Sequence, residues 1–312
     1  MTLPLPAPRA DGYTRSTPVP LYWALHGKPG AARLLVLHGG PGAHHDYLLP
    51  QMLALGEQYE LVFYDQRGGG RSRTDDPTPV TWRLLVEDLA LVIRELGMQR
   101  PSIVGYSWGG MLAMLYALAG AGETPGGGVP RVDSSPARLA LVDPAPINRQ
   151  YRRQFEEEFA RRQKGPVIQM MRDELAASGL RERDPDAFKQ RQFELAVAGY
   201  FHDPANAAGL TPFRVTGRVQ QSVWESLGDF DLEPLLGALD VPTLIVHGRE
   251  DPIPLASSEA VAAALGGELV VLEHCGHVPY VERADALFPA ILDFLARTDA
   301  DAGSPLHTVS IR

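Results

Sequence analysis

The stretch Val104-Gly105-Tyr106-Ser107-Trp108-Gly109-Gly110 carries the first clue to the fold of this chain. Pro101-Ser102-Ile103 before it is a short apolar run of strand type. Met111-Leu112-Ala113-Met114-Leu115-Tyr116-Ala117 after it is dense in good helix formers. A bare Gly-x-Ser-x-Gly is common in ordinary turns. Between a strand and a helix it predicts a nucleophile elbow, a turn so sharp that side chains at 105 and 109 would collide with neighbouring backbone. The serine hydroxyl then stands at the tip of the turn, with a helix N-terminus behind it to favour developing negative charge.

Composition bounds the rest. A chain of 312 residues, 45% hydrophobic and 21% charged, can bury a substantial core as one large α/β domain or two smaller ones. The formal charge of −9 argues against nucleic acid or an anionic membrane as partner. Cys275 is the sole cysteine, so no intramolecular disulfide forms and a reducing, cytoplasmic setting is expected. Residues 1–15 are proline-rich without the apolar core of a signal peptide, and no stretch is long enough to span a bilayer. No Cys, His and Asp grouping has metal-ligand spacing, and neither metal nor cofactor is expected.

Taken in order, edge strands are expected within 13–25 and buried strands at 33–37, 60–64, 139–142, 241–247 and 268–272. A helix is expected over 46–59. Thr81 caps a second, whose Trp82, Val86, Leu89, Ile93 and Leu96 recur at steps of three and four before Gly97 stops it. The Gly-, Pro- and Ser-rich residues 120–136 read as a surface loop, and those after 298 as frayed. From 147 to 234 only helical patterns occur, around 151–163, 167–178, 186–200 and 219–227. Within them Arg152-Arg153 and Glu156-Glu157-Glu158 suit a solvated helix face.

Alternating strands and helices predict a mostly parallel sheet covered on both faces. Ser107, Asp251 and His277 each stand just past a strand end, in the order Ser, Asp, His that marks the triad of the α/β-hydrolase fold. His277 would take the proton of Ser107, and Asp251 would hold its tautomer. His274 is the alternative base and Asp143, which also follows a strand, the alternative acid. The glycines of His38-Gly39-Gly40-Pro41-Gly42 let the backbone approach a ligand, and the N–H groups of Gly40 and Trp108 are the candidate oxyanion hole. The expected architecture is an α/β-hydrolase fold. It has a mostly parallel sheet of eight-stranded type, core segments 1–146 and 235–312, and a helical lid at 147–234. The loop Asp65-Gln66-Arg67-Gly68-Gly69-Gly70-Arg71-Ser72 is read as mainly structural.

Taken together, the 38–42, 65–72 and 105–110 motifs resemble the proline iminopeptidase family of α/β-hydrolases, which includes the tricorn-interacting aminopeptidase factor. The resemblance implies a cofactor-free serine hydrolase that removes an N-terminal residue, often proline, from short peptides. In that family acidic residues from the lid and beside the triad acid hold the substrate amine. Here Pro252 stands where some members carry glutamate, and residues 211–217, which resemble the lid's return, lack an acid at their start. Glu225 and Glu194 are left as candidate amine anchors. The competing function is a carboxylesterase or lactonase acting on small-molecule esters with the same triad. Epoxide hydrolases and dehalogenases of this fold place aspartate at the elbow, so Ser107 argues against them. A non-catalytic binding protein would lack a triad member.

Overall fold

The computed structural model describes residues 5–126, 132, 134–297 and 308–311. Its nine strands are β1 Ala10–Tyr13, β2 Tyr22–Gly27, β3 Arg33–Leu37, β4 Glu60–Tyr64, β5 Ser102–Tyr106, β6 Arg138–Val142, β7 Thr243–Gly248, β8 Glu268–Leu272 and β9 Thr308–Ile311. They form one sheet in the order β1-β2-β4-β3-β5-β6-β7-β8-β9. The pairs β1–β2 and β2–β4 are antiparallel and the others parallel. Parallel strands covered on both sides read as continuous apolar runs, and β4, β6 and β7 are buried throughout. Alternate residues face opposite sides. Leu35, Val62, Ile103 and Leu141 enter one core, whereas Val36, Phe63, Val104 and Val142 enter the other.

The helices, in chain order, are α1 Trp82–Glu95, α2 Trp108–Gly120, α3 Arg149–Gln163, α4 Pro166–Ala177, α5 Leu180–Arg183, α6 Pro185–Val197, α7 Gly217–Leu227, α8 Glu233–Leu236, α9 Leu255–Leu265, α10 Pro279–Glu282 and α11 Ala284–Ala296. The Thr81 hydroxyl caps α1 by accepting from the Leu84 N–H at 3.3 Å, and Gly97 leaves it at φ 69°. Every residue of α2 except Gly120 is buried, as expected of a helix apolar all round. Residues 147–234 hold helices, short 3₁₀ turns and one isolated bridge, Asn148 to Asp231.

Two local expectations are corrected. The segment 46–59 is two 3₁₀ turns, His45–Leu48 and Gln51–Glu57, instead of a helix. Pro50 divides it, because the residue before a proline is driven out of the helical region, and Leu49 is extended at ψ 146°. The second concerns the tail. Residues 308–311 are not frayed but pair in parallel with β8, which makes the sheet nine-stranded instead of eight. Residues 298–307 of that tail, and 127–131 and 133 of the expected surface loop, lie outside the described residues.

Candidate active site

Ser107 joins β5 to α2 at φ 53°, ψ −119°, a conformation few non-glycine residues adopt. The glycines beside it have the steric reason read from the sequence. A Cβ on Gly105 would lie 2.6 Å from the Gly109 carbonyl oxygen, and one on Gly109 would lie 2.3 Å from that of Leu37. The backbone around Ser107 is tied down. Its N–H donates to the Val142 carbonyl at 2.9 Å, and its carbonyl accepts from the Gly110 and Ala145 N–H groups at 2.9 Å each. Strain at such a residue persists only where neighbours over-determine it.

The parallel strands end at the same edge of the sheet, and there three loops converge. His277 Nε2 lies 3.0 Å from Ser107 Oγ, and His277 Nδ1 lies 2.7 Å from Asp251 Oδ2. A carboxylate only accepts, so Nδ1 carries the imidazole proton and Nε2 faces the serine hydroxyl. The Ile253 N–H donates to Asp251 Oδ1 at 2.7 Å. The His277 backbone is clamped on both sides. Its N–H donates to the Tyr200 carbonyl at 2.7 Å, and its carbonyl accepts from the Tyr106 hydroxyl at 2.9 Å. Burial disfavours the imidazolium and pushes His277 down to about 4. The neutral imidazole, the form able to accept a proton, therefore persists below the ordinary histidine value of about 6.5. Burial also raises Asp251 to about 7, so the acid limb of a kcat/KM–pH profile belongs to the Asp251–His277 pair and is expected at or below about pH 7. A limb above that value would contradict this environment.

His274 is exposed and its ring lies 5.4 Å from that of His202. Asp143 is fully buried beside Asp251. Its Oδ1 accepts from the Gly248 N–H at 2.8 Å, and its carboxyl shares a hydrogen bond with the Asp251 side chain. The nearby imidazole cannot serve it. His247 Nε2 faces the Ile253 carbonyl at 3.2 Å, so it carries the proton, and Nδ1 accepts from the Ser258 hydroxyl at 2.9 Å. Burial, and then the charge of Asp251, push Asp143 well above the carboxylate range, so it stands as a neutral acid.

Gly40 has φ 128° and lines a cavity together with Ser107. The preceding Gly39 runs so close that a Cβ on it would lie 3.0 Å from Ser107 Cβ. Trp108 is the first residue of α2, where the N–H has no partner within the helix. The residue that sequence reasoning missed is Gln66. Its amide nitrogen donates to the His38 carbonyl at 2.8 Å, and its amide oxygen accepts from Trp108 Nε1 at 3.0 Å. One side chain thus ties the glycine loop to the elbow. The rest of the 65–72 motif is braced as well. Asp65 accepts from His45 Nδ1 at 2.7 Å and from the Arg71 N–H at 2.8 Å, while Arg67 grips Asp88 at 2.7 and 2.6 Å.

Residues 34–290 match the family model described as the alpha/beta hydrolase family. The chain belongs to that family. This hydrolase is 27% identical over 303 residues to a proline iminopeptidase of Thermoplasma volcanium, covering 92% of this chain and 97% of that one. The crystal structure of a proline iminopeptidase from Mycobacterium smegmatis superposes with a TM-score of 0.64 at 20% identity, over 92% of this chain and 97% of that one. The enol-lactonase from Burkholderia xenovorans LB400 does so with a TM-score of 0.62 at 22% identity, over 92% of this chain and all of its own. These two likenesses establish the fold alone.

The cavity at Ser107 in the hydrolase is about 470 Å³, within the range of small-molecule sites. Phe155, Tyr200, Trp224 and Ile253 give it apolar walls, while Arg152, Glu156, Gln220 and Gln221 are polar. Neither expected amine anchor lines it. Glu194 is buried within the helical segment and is consumed by Arg191 at 2.6 Å and Gln190 at 3.0 Å. Glu225 is exposed, accepts from Gln221 at 2.7 Å and lines a neighbouring cavity with Arg149 and Arg153. The carboxylate at the Ser107 cavity is Glu156, on the solvated face of α3 expected from the sequence. It accepts from Arg152 Nε at 2.8 Å, and that guanidinium lies over the Trp224 ring at 4.0 Å.

Proposed function

We propose that this hydrolase is a serine aminopeptidase that releases the N-terminal residue, proline or another small or apolar one, from short peptides or amino-acid amides. The observation that carries the reading is the hydrogen-bonded series Asp251–His277–Ser107 at the mouth of a cavity whose lining holds one carboxylate, Glu156. Ser107 Oγ attacks the carbonyl carbon while its proton passes to His277 Nε2. The Gly40 and Trp108 N–H groups receive the oxyanion, a contribution of roughly 10²–10³ in rate for each donor. His277 then returns the proton to the leaving amine. Water, activated by the same imidazole, releases the acyl group and restores Ser107. Asp251 keeps the imidazole in the required tautomer throughout, and no step calls on a metal or cofactor. The helical segment 147–234 acts as the lid, closing the substrate between α3, α7 and the sheet edge. The likeness to proline iminopeptidases supports the amine end of the reading.

In this assignment Glu156 replaces Glu225 and Glu194 as partner of the substrate ammonium. Its side chain is 53% exposed, so the interaction is screened and worth less than that of a fully buried pair. Glu156→Gln is expected to weaken prolyl- and alanyl-amides about tenfold in kcat/KM, or ~1.4 kcal/mol, and to spare a neutral ester. Glu225→Gln should leave both substrates unchanged. Equal loss on both substrates in the Glu156 variant would indicate a collapsed lid.

One observation favours a second reading, an esterase or lactonase of small molecules. Glu156 is already paired with Arg152, so the cavity offers no uncompensated acid among its lining residues. Side-by-side assay of prolyl-, alanyl- and leucyl-amides against short-chain esters and lactones separates the two readings. Esterase activity without amide cleavage would replace the first with the second.

A further inference from the structure

On the outer side of the triad loops, His202, Glu250 and His274 bring their donor atoms within 4.8 Å of one another. They come from three separate segments. His202 belongs to the turn that follows α6, Glu250 to the loop after β7 and His274 to the loop after β8. No sequence spacing reveals them. His202 Nδ1 lies 3.9 Å from Glu250 Oε2, and the two imidazole rings are 5.4 Å apart between centroids. Ligands on a tetrahedral zinc ion, each about 2.0–2.1 Å from the metal, are separated by ~3.3 Å. Spacings of up to 4.8 Å must close by as much as about 1.5 Å, which small side-chain rotations shared between the partners supply.

The segments are already held for it. The Glu250 carboxylate accepts from the Cys275 N–H at 3.0 Å, which fixes one of its oxygens towards the His274 loop. The Glu250 N–H donates back to the Cys275 carbonyl at 2.9 Å. Glu282 bridges the other pair of segments, accepting from the His202 N–H at 3.1 Å and the Gly276 N–H at 2.7 Å. Arg162 donates to the Glu250 carbonyl and so steadies that loop from α3. His274 itself sits at φ 55°, a left-handed conformation rare outside glycine. Side-chain exposure of 39% at His202 and 32% at Glu250 leaves an ion free to enter and to keep a water ligand.

We propose that His202, Glu250 and His274 form a binding site for a divalent transition-metal ion, with zinc as its natural fit. Two imidazoles and one carboxylate suit zinc, cobalt, nickel or copper, and they disfavour magnesium and calcium, which take oxygen ligands. Bound there, the ion is a clamp. It pins the turn carrying Tyr200, the loop carrying Asp251 and the loop carrying His277, all within three residues of a ligand. The site lies outside the Ser107 cavity and supplies no step of the hydrolysis.

The test uses the full chain without an affinity tag at neutral pH. Cobalt is titrated as a spectroscopic probe and zinc in competition, with thermal unfolding followed in parallel. One equivalent should bind, cobalt should give the visible bands of a low-symmetry site, and zinc should raise the unfolding midpoint. His202→Ala, at an exposed side chain, and His274→Asn, which tolerates the left-handed backbone, should each weaken binding at least about tenfold and abolish the rise in midpoint. Failure of the parent to bind, or equal binding by parent and both variants, would overturn the assignment.

Discussion

Ser107→Ala is expected to leave a folded protein with kcat/KM lower by about 10⁴–10⁶, the range seen when one member of a catalytic unit is removed. The fold should survive because the turn is set by the bulk-free positions 105 and 109 and by backbone hydrogen bonds at 107, none of which uses the hydroxyl. Alanine is no more strained than serine at φ 53°. What disappears is the atom 3.0 Å from His277 Nε2. Circular dichroism and the unfolding midpoint check the first half, and steady-state kinetics on the best substrate the second. An active variant would remove the nucleophile from Ser107.

The second large effect concerns which buried acid orients His277. Asp251→Asn is expected to cost about 10⁴ in kcat, since an amide donates towards Nδ1 and selects the wrong imidazole tautomer. Asp143→Asn should cost no more than a few-fold. Burial and the charge of Asp251 raise Asp143 well above the carboxylate range and favour its neutral form, which accepts from the Gly248 N–H and hydrogen-bonds the Asp251 side chain. Asparagine reproduces both its shape and its lack of charge. The two substitutions are nearly identical chemically and lie in the same buried cluster, so their ratio isolates the tautomer effect from simple damage to packing. The opposite ranking would transfer the orienting role to Asp143.

What the sequence revealed and what it hid differ in range. The elbow is local: strand, two obligatory glycines, serine and helix lie within about one and a half dozen residues, and each constrains the next. The same holds for the Thr81 cap and for the strand ends that carry Asp251 and His277. Glu156 lies on the solvated face read from the sequence, and its i,i+4 pair with Arg152 has one pattern whether or not that face also borders a cavity. Only the packing of α3 over the sheet edge distinguishes the two. The sequence places Glu225 ahead of Glu194 and does not show that each is held by an ordinary neighbour on its helix, Gln221 and Arg191. Gln66 acts across 28 residues to His38 and 42 to Trp108, a relation no motif prints. β9 escaped because four residues, Thr308–Ile311, gain strand character from the free edge of β8 and little from their own pattern. The break at Pro50, by contrast, is legible in the sequence itself, because the residue before a proline is driven out of the helical region.

The account rests above all on Ser107 as the residue that becomes acylated. A serine-reactive phosphonate, followed by intact mass and peptide mapping, tests this without knowledge of the substrate. The parent should take up one equivalent, on the peptide bearing Ser107, and His277→Ala should label far more slowly because its hydroxyl has no base. Labelling at another residue, or labelling of Ser107 at the same rate without His277, would contradict it.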